Sequence, residues 1–129
     1  MKLEKKTLSL YFLYVLLISL ILFLFFNLKS STNNMLKDLN TLSPYLKNEN
    51  WDESKKLLDE FNNKYKKTLE RITIITNDIE VNNVYLLLID IFTNIELKNK
   101  DTCLNKLENL KFSIKNLYTS QIPSILNIF

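Results

Sequence analysis

Glycine, histidine and alanine are absent from this chain of 129 residues, and cysteine occurs once. Each absence removes a class of chemistry. Without an imidazole there is no Ser-His-Asp or Cys-His nucleophile arrangement and no ordinary zinc site. Without glycine there is no phosphate-cradling loop, and membrane helices have no glycine motif for close packing. The single Cys103 has no partner for an intramolecular disulfide. Glycine and alanine have GC-rich codons, so their absence fits an AT-rich coding sequence and takes weight from the abundance of Lys and Asn.

Excess charge of one sign is also lacking where it would matter for nucleic acid. The formal charge is +3, but Lys2, Lys5 and Lys6 against Glu4 place most of it at the N-terminus. From Leu28 onward basic and acidic side chains nearly balance, so a nucleic-acid partner is not expected.

What is present is one long apolar run. Leu8 to Phe26 carries no charge, and a helix of that length covers roughly 28 Å, enough to cross the hydrocarbon of a bilayer. A secretory signal peptide would have a shorter apolar region ending in small residues, whereas this run ends Phe25-Phe26-Asn27-Leu28-Lys29. It reads as an uncleaved signal anchor. Three lysines precede the run and one closely follows it, so the N-terminus is expected in the cytoplasm and the rest outside it, in a single-pass cell-membrane protein. The polar atoms within the run are hydroxyls, at Ser9, Tyr11, Tyr14 and Ser19. An ion or proton path normally needs ionisable groups, so the segment reads as a tether.

Beyond the run, hydrophobic spacing is helical throughout. Leu28, Met35, Leu39, Leu42 and Leu46 form a first stripe that extends the membrane helix as a stalk, with a kink or break expected near Ser43-Pro44. Trp51, Ser54, Leu58, Phe61, Tyr65, Leu69 and Ile72 form a second, capped by Asn50 with Glu53 three residues on. A third helix over 78–97 presents Val81, Val84, Tyr85, Leu88, Ile91, Phe92 and Ile95 on one face and Ile79, Leu86 and Leu97 on the other. Asp101 is expected to cap a fourth, carrying Cys103, Leu107, Leu110, Ile114 and Leu117. Cys103 lies on the apolar stripe and reads as a small core residue.

LKNENW, from Leu46, echoes LKNKDT, from Leu97. Two similar helical hairpins about fifty residues apart are implied. The predicted fold is all-α: an N-terminal transmembrane helix continuing into a small antiparallel bundle of two hairpins, either tetratricopeptide-like or four-helix. The expected divisions are a cytoplasmic N-terminus at 1–7, the membrane helix at 8–27, a juxtamembrane stalk at 28–48, the hairpin domain at 49–118 and an apolar tail at 119–129.

Trp51 opening a helix, the apolar third helix, the turn at Lys98 to Asp101 and the terminal Leu126-Asn127-Ile128-Phe129 together resemble a known family. It is domain of unknown function 4363, small single-span membrane proteins of endospore-forming Gram-positive bacteria. The resemblance covers anchor and remainder alike and implies the same anchored helical architecture. Members often carry His-Glu-Glu-apolar-Asp entering the third helix. Here Asp78-Ile79-Glu80-Val81-Asn82 keeps only Glu80, so a site built on that stretch is not implied for this chain.

Acid clusters at Asp52/Glu53, Asp59/Glu60 and Asp78/Glu80 have the residue types of acid-base pairs or hard-cation ligands. They are read as a solvated face, with Asp52–Lys56 and Glu60–Lys64 as i to i+4 pairs and Asp78 and Glu80 favoured by a helix N-terminus. No enzyme activity, metal or cofactor is expected. The expected role is a protein-interaction or accessory module of a membrane complex, embedded in the lipid bilayer and binding a polytopic membrane protein. Its candidate surface is Ile79, Leu86 and Leu97 with Ile125, Leu126, Ile128 and Phe129 of the tail, which either packs back on the bundle, the favoured reading, or docks on a partner. An extracytoplasmic ligand or cation sensor is the alternative, and a Ser-Lys hydrolase the last choice.

Overall fold

The computed structural model describes residues 2–75 and 78–119, and these are almost entirely helical. Four helices follow in order: α1 (Lys2–Lys47), α2 (Trp51–Ile75), α3 (Asp78–Glu96) and α4 (Lys100–Thr119), with no strand among the described residues. The chain divides into two units, Met1–Ser30 and Ser31–Phe129.

The first unit is the N-terminal part of α1, a helix long and apolar enough to span a membrane. Its large side chains make no core of their own: Leu8, Tyr11, Phe12 and Phe23 are all more than 60 % exposed. Apolar surface of that extent favours an apolar surrounding over water. The polar atoms are handled locally, as at Ser19, whose hydroxyl donates to the Val15 carbonyl at 2.8 Å.

The second unit is a small helical bundle. Met35, Leu39, Leu42 and Leu46 of α1, at most 2 % exposed, are buried with the stripes of the other helices. Residues 31–47, expected to stand as a stalk, therefore supply the first helix of the bundle. Leu58, Leu69, Ile91, Leu107, Leu110, Ile114 and Leu117 complete a core of side chains with almost no exposure. Burying each such side chain contributes about 1.5–3 kcal/mol. α3 packs on both α2 and α4. Ion pairs tie neighbouring helices together: Lys64–Asp38 at 3.0 Å, Lys55–Glu96 at 2.6 Å and Lys106–Asp90 at 3.5 Å. The expected Glu60–Lys64 pair gives way to the first of these, because Lys64 reaches across to α1.

Pro44 does not break α1, which runs on to Lys47. A proline deprives the carbonyl four residues back of its donor. That carbonyl belongs to Asn40, which is exposed to water, and Pro44 is exposed too. Leu42 and Leu46 on either side are buried and hold the last turn, and the Pro44 carbonyl accepts from Asn48 N–H at 3.0 Å.

Both tight turns are built identically. After α1, Asn50 N–H donates to the Tyr45 carbonyl and Glu49 N–H to that of Leu46. After α3, Asn99 N–H donates to Asn94 and Lys98 N–H to Ile95. This is the six-to-one and five-to-two pattern of a Schellman motif, with Glu49 (φ 58°) and Lys98 (φ 54°) in the left-handed position. The residue that closes each motif also caps the next helix. Asn50 Oδ1 accepts from Glu53 N–H at 3.4 Å, and Asn99 Oδ1 from Thr102 N–H at 3.3 Å. The cap of α4 is thus Asn99, and Asp101, expected in that role, lies in its first turn.

These turns correct the register of the echo. The equivalent of Glu49 is Lys98, an offset of forty-nine residues, where the shared Leu-Lys-Asn letters suggest two more. With the corrected offset, Thr32, Met35, Leu39, Leu42 and Leu46 fall on Val81, Val84, Leu88, Ile91 and Ile95, all buried. Ser54, Leu58, Phe61 and Tyr65 fall on Cys103, Leu107, Leu110 and Ile114, again all buried. The bundle is two copies of one hairpin.

Candidate interaction surface

α3 buries one face and leaves another apolar. Ile79, Leu86 and Leu97 are 65, 56 and 70 % exposed. At 100° per residue they lie within about 20° of one another, on one stripe roughly 27 Å long. Leu97 still belongs to the ladder, since its N–H donates to the Thr93 carbonyl at 3.0 Å. The structure therefore brings these three sequence-predicted residues onto one surface. Ile125, Leu126, Ile128 and Phe129 lie outside the described residues.

Ile89 and Phe112, 59 and 65 % exposed, are apolar surface that the stripe analysis missed. The signal for Ile89 was the unbroken run Leu86-Leu87-Leu88-Ile89, because four consecutive apolar residues cannot all face one side of a helix. Phe112 stands between the buried Leu110 and Ile114 of α4, off their stripe, and lines a groove with Leu36 and Asn40 of α1 and Glu108, Lys111 and Lys115 of α4.

A three-membered polar cluster joins α1 to α2. The Asp38 carboxylate accepts from the Tyr65 hydroxyl and from Lys64 Nζ, and Lys64 also lies 5.2 Å over the Tyr65 ring. Burial pushes the Asp38 carboxyl up, but the Tyr65 and Lys64 hydrogen bonds outweigh it and hold its pKa below the usual value. Burial, then the hydrogen bond to Asp38, raises that of Tyr65, and the hydrogen bond to Asp38 raises that of Lys64. A shallow groove of about 180 Å³ beside them is lined by Thr41, Leu57, Glu60 and Phe61. Asp38 Oδ2 takes both bonds from α2, which makes the cluster a clasp between two helices.

The other candidates for chemistry are placed plainly. Cys103 is fully buried, and burial pushes its thiol up, away from the reactive thiolate. The Ser54 hydroxyl is spent on the Asn50 carbonyl at 2.7 Å. No three His, Cys, Asp or Glu side chains gather as metal ligands among the described residues.

Fold and surface define a class: a small helical-bundle protein whose first helix carries a segment long and apolar enough to span a membrane. The chain belongs to the family described as domain of unknown function (DUF4363), whose model matches residues 22–128. That match takes in the end of the apolar segment and the bundle. No curated protein and no solved structure matches the chain.

Proposed function

We propose that this is a membrane-anchored, non-enzymatic interaction module, with its N-terminus in the cytoplasm and its bundle outside, that binds another membrane protein through the exposed stripe of α3. The observation that carries the reading is the alignment of Ile79, Leu86 and Leu97, flanked by Ile89, on one water-facing side of a helix whose other side is already buried. Core packing does not require these side chains, and a helix partner recognises anchors at such spacing. The stripe starts at Ile79, and α3 begins at the end of the bundle where the chain enters from the apolar segment. Tethering by the apolar segment confines the bundle to the neighbourhood of a membrane, which favours a polytopic membrane protein as partner.

A photo-crosslinking residue at Leu86 in native membranes tests this. The reading expects one discrete adduct that stays with the carbonate-washed membrane, and none from the same residue at Asp52. No adduct, or equal adducts at both positions, contradicts it. An adduct of two copies of this chain replaces the partner with self-association.

The cation-sensor alternative keeps only its acid pairs at the helix starts. A thermal melt with millimolar calcium or magnesium settles it, since binding to the native state raises the midpoint.

A further inference from the structure

The bundle has two unlike ends. The Lys55–Glu96 pair sets the start of α2 beside the end of α3, so both tight turns, 48–50 and 97–99, lie at one end. The opposite end holds Ser31, the end of α2, the start of α3 and the end of α4. It is the end joined through a few residues to the apolar segment.

Charge divides along the same axis. In the half nearer Ser31 (31–38, 63–87 and 110–119) basic side chains outnumber acidic ones by seven to four. In the half carrying the tight turns acidic side chains outnumber basic ones by nine to six. The near-neutral total conceals this polarity. Lys64 and Lys111 are engaged with Asp38 and Glu108, and Lys37, Lys66, Lys67, Arg71 and Lys115 remain as exposed basic groups toward the Ser31 end. Besides Asp38, which is paired with Lys64, the acids of the same end with described side chains are Glu70 and Glu80.

The last turns of α2 combine this charge with exposed apolar surface. Lys67, Arg71 and Ile74 share one face of the helix, and Ile74 is 85 % exposed, more than any other large hydrophobic among the described residues of the bundle. From Thr119, at this same end, the chain continues into 120–129, which carries no charged side chain and includes Ile122, Ile125, Leu126, Ile128 and Phe129.

We propose that this end of the bundle seats on an anionic lipid surface, with Lys66, Lys67, Arg71 and Lys115 against the headgroup phosphates and Ile74 entering the interface. Basic groups held within a Debye length of an anionic leaflet are attracted to it, and a neighbouring apolar side chain adds burial at the acyl boundary. Tethering by the apolar segment keeps this end at the surface, so weak individual contacts suffice. The acidic far end is correspondingly repelled and held away. The inference rests on the anchor reading and is independent of a partner on α3.

The test uses the full-length protein in nanodiscs, with an environment-sensitive fluorophore on a single introduced cysteine and quencher-labelled lipid. Cys103 is fully buried and stays unlabelled in the folded protein. Three sites are compared, Leu17→Cys in the apolar segment, Ile74→Cys and Asp52→Cys, on discs with phosphatidylglycerol and on discs of phosphatidylcholine alone. The expected result is quenching at 17 on both, quenching at 74 that is stronger on the anionic discs, and none at 52. The triple variant K66Q/K67Q/R71Q, altered only at exposed positions, should lose most of the anionic preference at 74. Quenching at 17 with none at 74, or quenching at 74 that ignores lipid charge, overturns the proposal. Absence of quenching at 17 overturns the anchor reading itself.

Discussion

Glu49 and Lys98, forty-nine positions apart, hold the same left-handed backbone conformation at the same step of the same turn. A residue with a Cβ pays about 1–2 kcal/mol for that conformation relative to the right-handed one. In a chain without glycine the cost is carried twice, offset by the hydrogen bonds that close each corner. Glu49→Gly and Lys98→Gly are each expected to stabilise the bundle by about 0.5–1 kcal/mol, seen as a higher thermal midpoint. Unchanged or lowered midpoints would show that these corners are not strained.

The caps separate two assignments of the start of α4. Asn99→Ala should cost about 1 kcal/mol, and Asn50→Ala a similar amount, because each removes the acceptor for a first-turn N–H. Asp101→Ala should cost only a few tenths, the worth of a first-turn acid near the helix dipole. Denaturant melts of the three variants decide, and a larger loss from Asp101 than from Asn99 would reverse the assignment.

The Asp38–Lys64–Tyr65 clasp gives the stability a pH dependence of known sign. Asp38 has a depressed pKa in the folded protein, so its contribution is full above its unfolded value near pH 4 and fades as pH falls through the folded one. Lys64 has a raised pKa, so its contribution is full below about pH 10 and is lost as pH rises through the folded value. Tyr65 also holds its proton more tightly when folded, so deprotonation above about pH 10 works in the same direction. A double-mutant cycle of Asp38→Asn and Tyr65→Phe should give a coupling of about 1 kcal/mol at neutral pH, discounted for partial exposure. The coupling should shrink at both extremes, and a flat profile would mean the clasp does not form.

Cys103 occupies the position that Ser54 occupies in the other hairpin, and both are fully buried. Ser54 satisfies its hydroxyl on the carbonyl four residues back, and Cys103 has the Asn99 carbonyl at the same step. Cys103→Ser should therefore cost no more than about 1 kcal/mol, where a buried hydroxyl without a partner costs about 1–3 kcal/mol. In the wild-type protein a thiol reagent should react at the rate of unfolding, and fast labelling under native conditions would contradict the packing.

Helix number and core were legible because burial imposes a 3.6-residue period, which Leu58, Phe61 and Tyr65 or Leu107, Leu110 and Ile114 display directly. The corners were not, since left-handed residues are normally announced by glycine and here fall on Glu49 and Lys98. The echo was visible but misaligned, because matching letters at Leu46 and Leu97 drew the eye from the hydrogen-bond pattern that defines equivalence. Lys64 and Lys55 find partners on other helices, which no intrahelical spacing rule can show. On the candidate surface, Ile79, Leu86 and Leu97 were recognised as an excess of apolar residues. Ile89 was hidden within an apolar run, and the polarity of charge between the two ends emerges only when the helices are folded against one another.

The central claim is that the apolar segment anchors the chain in the membrane with the bundle outside the cytoplasm. Asp101→Cys, at an exposed site by a tight turn, tests it with a membrane-impermeant maleimide on intact cells. The account predicts labelling before lysis of a protein that remains in the membrane after a carbonate wash. Labelling only after lysis would contradict the orientation, and release by the wash would contradict the anchor.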